Sequence, residues 1–378
     1  MLKLRRAIVL EAEPPEGSEQ RLLTEVQGAR RHAIADVSLH GVCHEQDELI
    51  VNVQALDLGL GSGGFDIVHV NLTRGLEGEG MPGASAMKLP YTSLQHAVQT
   101  VEEERLELPL ERPIAVLAMH GQLAAVAWAF AQSAPGLRLG YIQTEGGALP
   151  GGHSRVVRAL REQGLLAGHL SAGASFGGEG EAISTAGAAH HGVRSLGWDA
   201  AVCGPGPGIV GSGSALGHGG MCALQSAHAA LALGCPTLVV ARMSSGDPRA
   251  RHRGISHHTQ TVLELLLQSV TVALPAGMRS PVGTELRTSL GSVFANGSAR
   301  RLQLQLDVER PVRITRHDWR RTPVDLPAYA ASGLSAFTMG RGLTEDPLFF
   351  GAALAGGGVL AELAHESLQS TEPIREAT

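Results

Sequence analysis

Short apolar runs separated by polar turns characterise the first part of the chain. Residues 6–11, 21–26, 31–38, 48–54 and 65–72 are rich in β-branched residues and show no helical period, and Gly, Pro, Asn and Asp separate them. Many short strands leave exposed edges unless their sheet closes on itself. We therefore predict a small β-barrel-like domain over residues 1–75.

A different pattern begins near residue 112. Apolar runs at 114–119, 137–143, 165–171, 200–203, 237–242 and 270–274 alternate with helical stretches at 121–133, 154–163, 181–196, 221–233 and 257–268. Buried strands that alternate with helices predict an α/β fold: a doubly wound, mostly parallel sheet with helices on both faces. Such sheets bind ligands at the carboxyl ends of their strands.

The remaining segments complete the predicted organisation. Residues 76–110 are expected to be a connector with one helix at 93–104, and residues 111–365 to form the α/β domain. Its last part is expected to hold strands at 301–308 and 311–315 and a closing helix at 347–363. Residues 366–378 are expected to be a tail.

Charge and cysteine content restrict the classes of function. The net charge of −6 argues against a nucleic-acid or anionic-membrane partner. Four cysteines without a C-x-x-C pair indicate a reducing compartment. The longest apolar stretch, 113–131, contains His120, Gly121 and Gln122, so we expect no membrane span, and the apolar run before Glu11 is only four residues long, too short for a signal peptide. A cytoplasmic protein is expected, and base rates favour a homodimer.

Glycine-rich loops follow four of the predicted strands. They cover residues 144–147, 173–179, 204–220 and 244–258 of a chain with 49 glycines. Glycine allows backbone N–H groups to converge on an anion. The third loop is therefore expected to contribute an anion-binding backbone at Gly204, Gly206, Gly208, Gly211 and Gly213. The competing interpretation is that these glycines serve only to make tight turns between strands and helices.

The fourth loop is the richest in chemistry. Arg249, Arg251 and Arg253 are candidates to hold an anion, together with a helix that Ser256 would cap. Three histidines, His252, His257 and His258, are candidates to move protons, because the free imidazole pKa lies near neutrality.

Carboxylates complete the predicted site. Asp247, Glu145 or Glu179 would orient the histidines or hold a metal. Metal binding by His252, His257 and Asp247 is an open alternative, but it lacks a diagnostic spacing. The sequence assigns no cofactor. The alternative to an anion site is that the arginines are solvated or form salt bridges with carboxylates of the chain.

Two segments match short motifs of known enzyme classes. Residues 206–211 match G-x-G-x-x-G, but Pro207 removes an N–H and no acidic residue follows at the required distance, so a dinucleotide fingerprint is rejected. Residues 173–177 match the nucleophile pattern G-x-S-x-G, which keeps a Ser-His-Asp hydrolase with Ser175 as an alternative.

Several strings resemble a bacterial domain family of unknown function. They are TEGGALP at 144–150, SFGGEGEA at 175–182, GPGPGIVGSGS at 204–214, RHRGISHH at 251–258 and TMGRGLTEDPLFF at 338–350. The resemblance implies a small N-terminal β-module followed by an α/β domain, and it implies no activity. The family commonly has Ala where this chain has Ser175, which weakens the hydrolase alternative, and Asp where it has Glu145.

Taken together, these residues favour an enzyme that acts on a small anionic, perhaps phosphorylated, substrate at the strand ends. A ligand-binding or scaffold protein without turnover is the alternative from a different class. Both require that the four loops meet in space.

Overall fold

A closed five-stranded barrel forms the N-terminal domain. The structure is a computed structural model that describes residues 1–60, 63–147, 150–278 and 314–371. The barrel order is β1-β2-β3-β5-β4, with β1 Leu4–Ala12, β2 Glu19–Val26, β3 Ala29–Asp36, β4 Glu48–Asn52 and β5 Asp66–Asn71. Two single-turn helices, α1 Val37–His40 and α2 Gln54–Asp57, join its strands. The predicted barrel is confirmed.

Alternating inward-facing residues explain the barrel. Its core contains Val9, Leu22, Ala33, Leu49 and Val68, all nearly inaccessible to water. Parallel pairing of β3 with β5 completes the closure, and at this seam Arg31 donates two hydrogen bonds to the buried Asp66.

The connector contains a hairpin instead of the predicted helix. Its strands are β6 Ala86–Lys88 and β7 His96–Val98, so the helix prediction at 93–104 is wrong. An acidic residue at the end of that segment binds the backbone at the start of a different helix, residues 185–194. Glu102 accepts hydrogen bonds from the backbone N–H groups of Ile183 and Ser184, where a carboxylate is favourable because a helix begins there.

Eight parallel strands form the sheet of the second domain. The order is β11-β10-β9-β12-β8-β13-β16-β17. The strands are β8 Ile114–Leu117, β9 Leu139–Thr144, β10 Gly168–Ala172, β11 Gly180–Ala182, β12 Ala200–Pro205, β13 Thr237–Val240, β16 Thr271–Met278 and β17 Asp318–Val324. The chain leaves β9 towards β10 and leaves β12 towards β13, in opposite directions, so β9 and β12 flank a switch point. The predicted doubly wound α/β fold is confirmed.

Helices cover the sheet as the alternating pattern predicted. They are α3 Leu123–Ser133, α4 Arg155–Glu162, α5 Thr185–Arg194, α6 Cys222–Ala232, α7 His257–Leu265, α8 Leu326–Ala330 and α9 Pro347–Thr371. Two short two-stranded sheets, β14 Met243–Ser244 with β15 Gly254–Ile255 and β18 Phe337–Thr338 with β19 Arg341–Gly342, lie in loops.

Three elements differ from the expected pattern. The helix predicted at 181–196 begins only at Thr185, because residues 180–182 pair with β10 as an edge strand. Strand β17 was not predicted. The strand expected at 301–308 lies outside the described residues. Most of the strand expected at 311–315 lies outside them as well, and its last two residues, 314 and 315, are not in a strand.

The closing helix α9 is a core element. It continues to Thr371, six positions into the stretch expected to be a tail. A side chain at Gly357 would lie 2.2 Å from the carbonyl oxygen of Val126, so glycine permits close packing of α9 on α3. By length and composition α9 could cross a membrane, but 89% of its most apolar window is buried inside the protein, which is what a core helix shows.

Candidate functional site

The loops that leave β9 and β12 lie in contact. Val210 N–H donates to the carbonyl oxygen of Gly146 at 3.4 Å, and Gly219 N–H donates to that of Val210 at 2.7 Å. A Cβ on Gly146 would lie 2.6 Å from the carbonyl oxygen of Gly219. These backbones can therefore meet only because the contact residues are glycines.

The loop after β10 joins the same group. Gly151 N–H donates to the carbonyl oxygen of Phe176 at 2.7 Å, and a Cβ on Gly173 would lie 2.3 Å from Glu145 Oε2. Glu145 is exposed at this junction.

The loop after β12 also reaches the segment 244–258. The ring of His218 stacks on that of His258, with centroids 3.6 Å apart and planes 10° apart. The four glycine-rich loops, which are far apart in sequence, thus form one continuous region at the carboxyl edge of the sheet.

Four imidazoles form the centre of this region, which we call the histidine cluster: His218, His252, His257 and His258. Besides the stacked pair, ring centroids lie 4.4 Å apart for His257 and His258, 4.9 Å for His252 and His257, and 5.0 Å for His252 and His258. Ser256 caps α7 by accepting from His258 N–H at 3.3 Å, which places His257 and His258 in the first turn of that helix.

Hydrogen bonds determine which ring nitrogens carry lone pairs. Arg242 Nη1 donates to His258 Nδ1 at 2.8 Å, and His252 Nδ1 lies 2.8 Å from Ser256 Oγ. His218 Nε2 donates to the carbonyl oxygen of Ala215 at 3.0 Å, so its Nδ1 has the lone pair. Within the described part of the chain, His218 Nδ1 and His257 Nε2 are buried without a hydrogen-bond partner.

Burial keeps the histidine cluster neutral. Desolvation, assisted by the positive charge of Arg242, lowers the pKa of His252 to about 3 and that of His258 to about 2. Desolvation and the neighbouring His218 lower the pKa of His257 to about 4. The pKa of His218 is lowered as well, again mainly by burial. At neutral pH all four rings are therefore uncharged, and each carries one lone pair.

A buried ion-pair network supports the histidine cluster. Asp247 is fully buried and accepts from Arg249 Nε and Nη2, both at 2.9 Å, while Arg341 and Arg242 approach it at 3.4 and 3.6 Å. Burial alone would raise the pKa of Asp247, but the bonds from Arg249 outweigh it and hold the pKa far below its usual value.

A second buried carboxylate forms hydrogen bonds with the loop after β13. Asp346, just before α9, accepts from Ser244 Oγ at 2.6 Å, from Ser245 N–H at 2.8 Å and from Arg341 Nε at 3.1 Å. The loop after β13 is thus tied to the start of α9, which gives the histidine cluster a rigid base.

Comparison with known proteins now adds a family. A model of the protein-of-unknown-function family DUF3866 matches residues 32–357 of the 378. The chain belongs to the DUF3866 family. No curated protein and no solved structure matches. The expected resemblance to an uncharacterised domain family is confirmed.

Two of the predicted site arginines of this DUF3866 chain have internal partners. Arg249 is paired with Asp247, and Arg253 Nε donates to the carbonyl oxygen of Asp247 at 3.0 Å. Arg251 is exposed beside His252. Because Asp247 is surrounded by guanidinium groups, it does not serve as a metal ligand here, and the metal set of His252, His257 and Asp247 is not formed.

The predicted glycine donors of the DUF3866 chain behave differently from one another. Gly204 lies inside β12, in register with Gln143 of β9, so it is part of the sheet and not of the loop that follows it. Gly208 has a positive φ of 79°. Gly211 forms a bridge with His218, and a Cβ on Gly213 would meet open space. Gly206 supplies the carbonyl oxygen against which Gly147 packs.

The remaining candidates lie apart from the histidine cluster. Ser175 Oγ accepts from Gln143 Nε2 at 2.9 Å, and Glu179 is paired with Arg161 at 2.6 Å. Among the described residues, no hydrogen bond joins Ser175 to a histidine, and Asp247 is occupied by arginines. The Ser-His-Asp arrangement therefore receives no support.

Sequence reasoning missed the residues of the DUF3866 chain that complete the site. His218 lies within the glycine-rich loop 204–220, where only glycines were expected to bind an anion, and Arg242 lies just before the loop 244–258. Arg341 and Asp346 lie about a hundred positions further on in the TMGRGLTEDPLFF string. That string was the available signal, since it carries the resemblance together with RHRGISHH.

Proposed function

We propose that the chain is an enzyme that binds a small anionic substrate beside the histidine cluster and uses a neutral imidazole of the cluster as a general base. The observation that carries this proposal is the pair of unpartnered ring nitrogens, His218 Nδ1 and His257 Nε2, in a region that also presents guanidinium groups. A general base needs an available lone pair, and an anion needs donors close to it.

The local charge supports an anionic substrate. Arg242, Arg249 and Arg341 surround the two buried carboxylates Asp247 and Asp346, so three positive groups face two negative ones. The capped start of α7 adds backbone N–H groups. In this proposal Arg251 holds the anion at the surface and His257 accepts the proton.

The other predicted residues take supporting roles. His252 and His258 shape the cluster through Ser256 and Arg242. Asp247 orients Arg249. Glu145 is exposed at the junction of three loops, where an incoming substrate would have access to it. We also propose that the protein acts in the cytoplasm, supported by four buried cysteines without a disulfide.

Turnover and binding should be measured separately. The full chain is offered phosphomonoesters, phosphodiesters and carboxylate esters, and inorganic phosphate binding is followed by calorimetry. We expect turnover of at least one class, a loss of about 10²-fold or more in His257→Gln, and weaker phosphate binding in Arg251→Gln. The exposed His365, changed to Gln, is the matched control.

Each outcome decides between the functions. Turnover that survives in His257→Gln overturns the role of that base. Phosphate binding without turnover of any class replaces the enzyme with a ligand-binding protein. Absence of both overturns the proposal altogether.

A further inference from the structure

We infer that His218, His257 and His258 form a binding site for one divalent transition-metal ion of the zinc or cobalt type. The inference rests on the proposed function, because it concerns the same cluster and adds an electrophile to it; when the ion is bound, His257 is a ligand, and the base would be the water that the ion activates instead of the free imidazole. Its evidence, however, is the geometry of the three rings and does not involve turnover.

The three rings are close enough to share an ion. One ligand nitrogen from each lies within 4.8 Å of the others. Nitrogens bound to a tetrahedral zinc at about 2.0–2.1 Å lie roughly 3.3 Å from one another. Side-chain rotations that shorten the longest nitrogen–nitrogen separation by about 1.5 Å would close the site. Neighbouring positions 257 and 258 both reach it, since the ring of His218 stacks on that of His258 and meets that of His257 edge to face.

His218 is prepared as a ligand. Its Nε2–H is committed to the carbonyl oxygen of Ala215, so the lone pair lies on Nδ1. The residue is only 6% exposed, and Nδ1 has no hydrogen-bond partner among the described residues. A backbone carbonyl that fixes the tautomer of a histidine is the usual outer-shell arrangement around a bound metal.

His257 supplies the second nitrogen. Its Nε2 is also buried and unpartnered within the described part of the chain. Two neighbouring buried ring nitrogens without hydrogen-bond partners are rare in proteins unless a bound species satisfies them. A cation satisfies both at once.

Arg242 competes with the metal for His258. Since guanidinium can only donate, the bond from Arg242 places the ring hydrogen of His258 on Nε2. Binding through either nitrogen thus requires Arg242 to withdraw, and Asp247, at 3.6 Å, offers it another partner. Removal of the guanidinium should strengthen metal binding, which a purely structural role of these histidines does not predict.

The ligand type selects the class of metal. Three imidazoles without an oxygen ligand suit zinc, cobalt, nickel or copper and not magnesium or calcium. Three protein ligands leave one coordination position open. The excess of arginine around the cluster then favours an anion in that position, which is where the proposed substrate would bind.

The test uses the full chain after treatment with a chelator. Zn²⁺ is titrated by calorimetry, and Co²⁺ is followed by the visible absorption of tetrahedral cobalt. We expect one ion per chain, affinity lower in His218→Ala and His257→Ala by more than the roughly 10–100-fold that loss of an outer-shell partner costs, and unchanged affinity in His365→Ala. Arg242→Met should bind Zn²⁺ more tightly than the unaltered chain.

The outcomes separate this inference from the proposed function. Affinity that is equal in His218→Ala and the unaltered chain, or weaker in Arg242→Met when both are folded by circular dichroism, overturns the metal site. If no ion binds but the chain binds phosphate and turns over substrate, the metal inference fails while the proposed function stands. If one ion binds but no ester is turned over, the metal site stands and the proposed function fails.

Discussion

Replacement of Asp247 by Asn tests whether the ion-pair network supports the site. The substitution keeps the shape of the side chain and removes its charge. Asp247 is fully buried and lies within 4.0 Å of three guanidinium groups. In Asp247→Asn these three positive groups would face a neutral amide, and Arg242, only 3% exposed, could not turn to water.

The magnitude follows from the burial of each partner. Removing one partner of a buried ion pair costs about 3–5 kcal/mol. Two features reduce this cost: the Arg249 side chain is 41% exposed, and Arg341 keeps Asp346 as a partner. We therefore expect a loss of about 2–3 kcal/mol of unfolding free energy, which corresponds to a fall in Tm of about 4–12 °C in a domain of this size.

The matched control is a second Asp-Arg pair with the same spacing. Asp318 lies 2.9 Å from Arg320 Nε, as Asp247 does from Arg249, but its side chain is 57% exposed. Asp318→Asn should change stability by about 0.5 kcal/mol or less, because exposed pairs contribute little. Both variants are compared with the unaltered chain by urea unfolding followed by circular dichroism.

Acid supplies an independent check. The pKa of Asp247 is held below its usual value in the folded chain, so its stabilising contribution is complete above about pH 4 and is lost as pH falls towards the folded pKa. The difference between the unaltered chain and Asp247→Asn should be about 1 kcal/mol smaller at pH 3 than at pH 6. A difference that is independent of pH, or no larger than that of Asp318→Asn, would refute the reasoning.

Three further predictions concern packing, thiols and the hydrolase alternative. Gly192→Ala should lower Tm by several degrees, since its Cβ would lie 2.3 Å from the ring of Trp198. The control Gly78→Ala should leave Tm unchanged, because nothing lies within 4 Å of a Cβ at that position. An equal fall in Tm in both variants would argue against a clash at Gly192. All four cysteines are buried, and burial raises the pKa of each thiol, so Ellman's reagent should label them at pH 8 only after denaturation; rapid labelling of the folded chain would contradict this. A fluorophosphonate probe should leave Ser175 unlabelled, because its Oγ is bonded to Gln143; labelling that disappears in Ser175→Ala would restore the hydrolase.

Much of the architecture could be read from local patterns. Five short β-rich runs predicted the barrel, and alternating apolar strands and helices predicted the parallel sheet, because side-chain periodicity reports which face of each element is buried. The connector shows where this fails. Residues 93–104 have a helical pattern, but Glu102 binds the backbone N–H groups of Ile183 and Ser184 just before α5, in a distant part of the chain.

The candidate site required more than local pattern. Sequence reasoning selected RHRGISHH because arginines and histidines are concentrated there, and it placed the glycine-rich loops on one edge because parallel strands end together. It could not assign His218 to the same cluster, since the stacking of His218 on His258 depends on how two loops forty residues apart fold over each other.

The fold class and the segment rich in arginine and histidine follow from local properties, hydrophobic period and residue type. Which of those groups are paired and which are available depends on contacts between distant parts of the chain. These contacts join Asp247 to three arginines and leave His218 Nδ1 and His257 Nε2 without partners among the described residues. Protonation, pairing and exposure depend on neighbours that are distant in sequence, and these neighbours are set by packing.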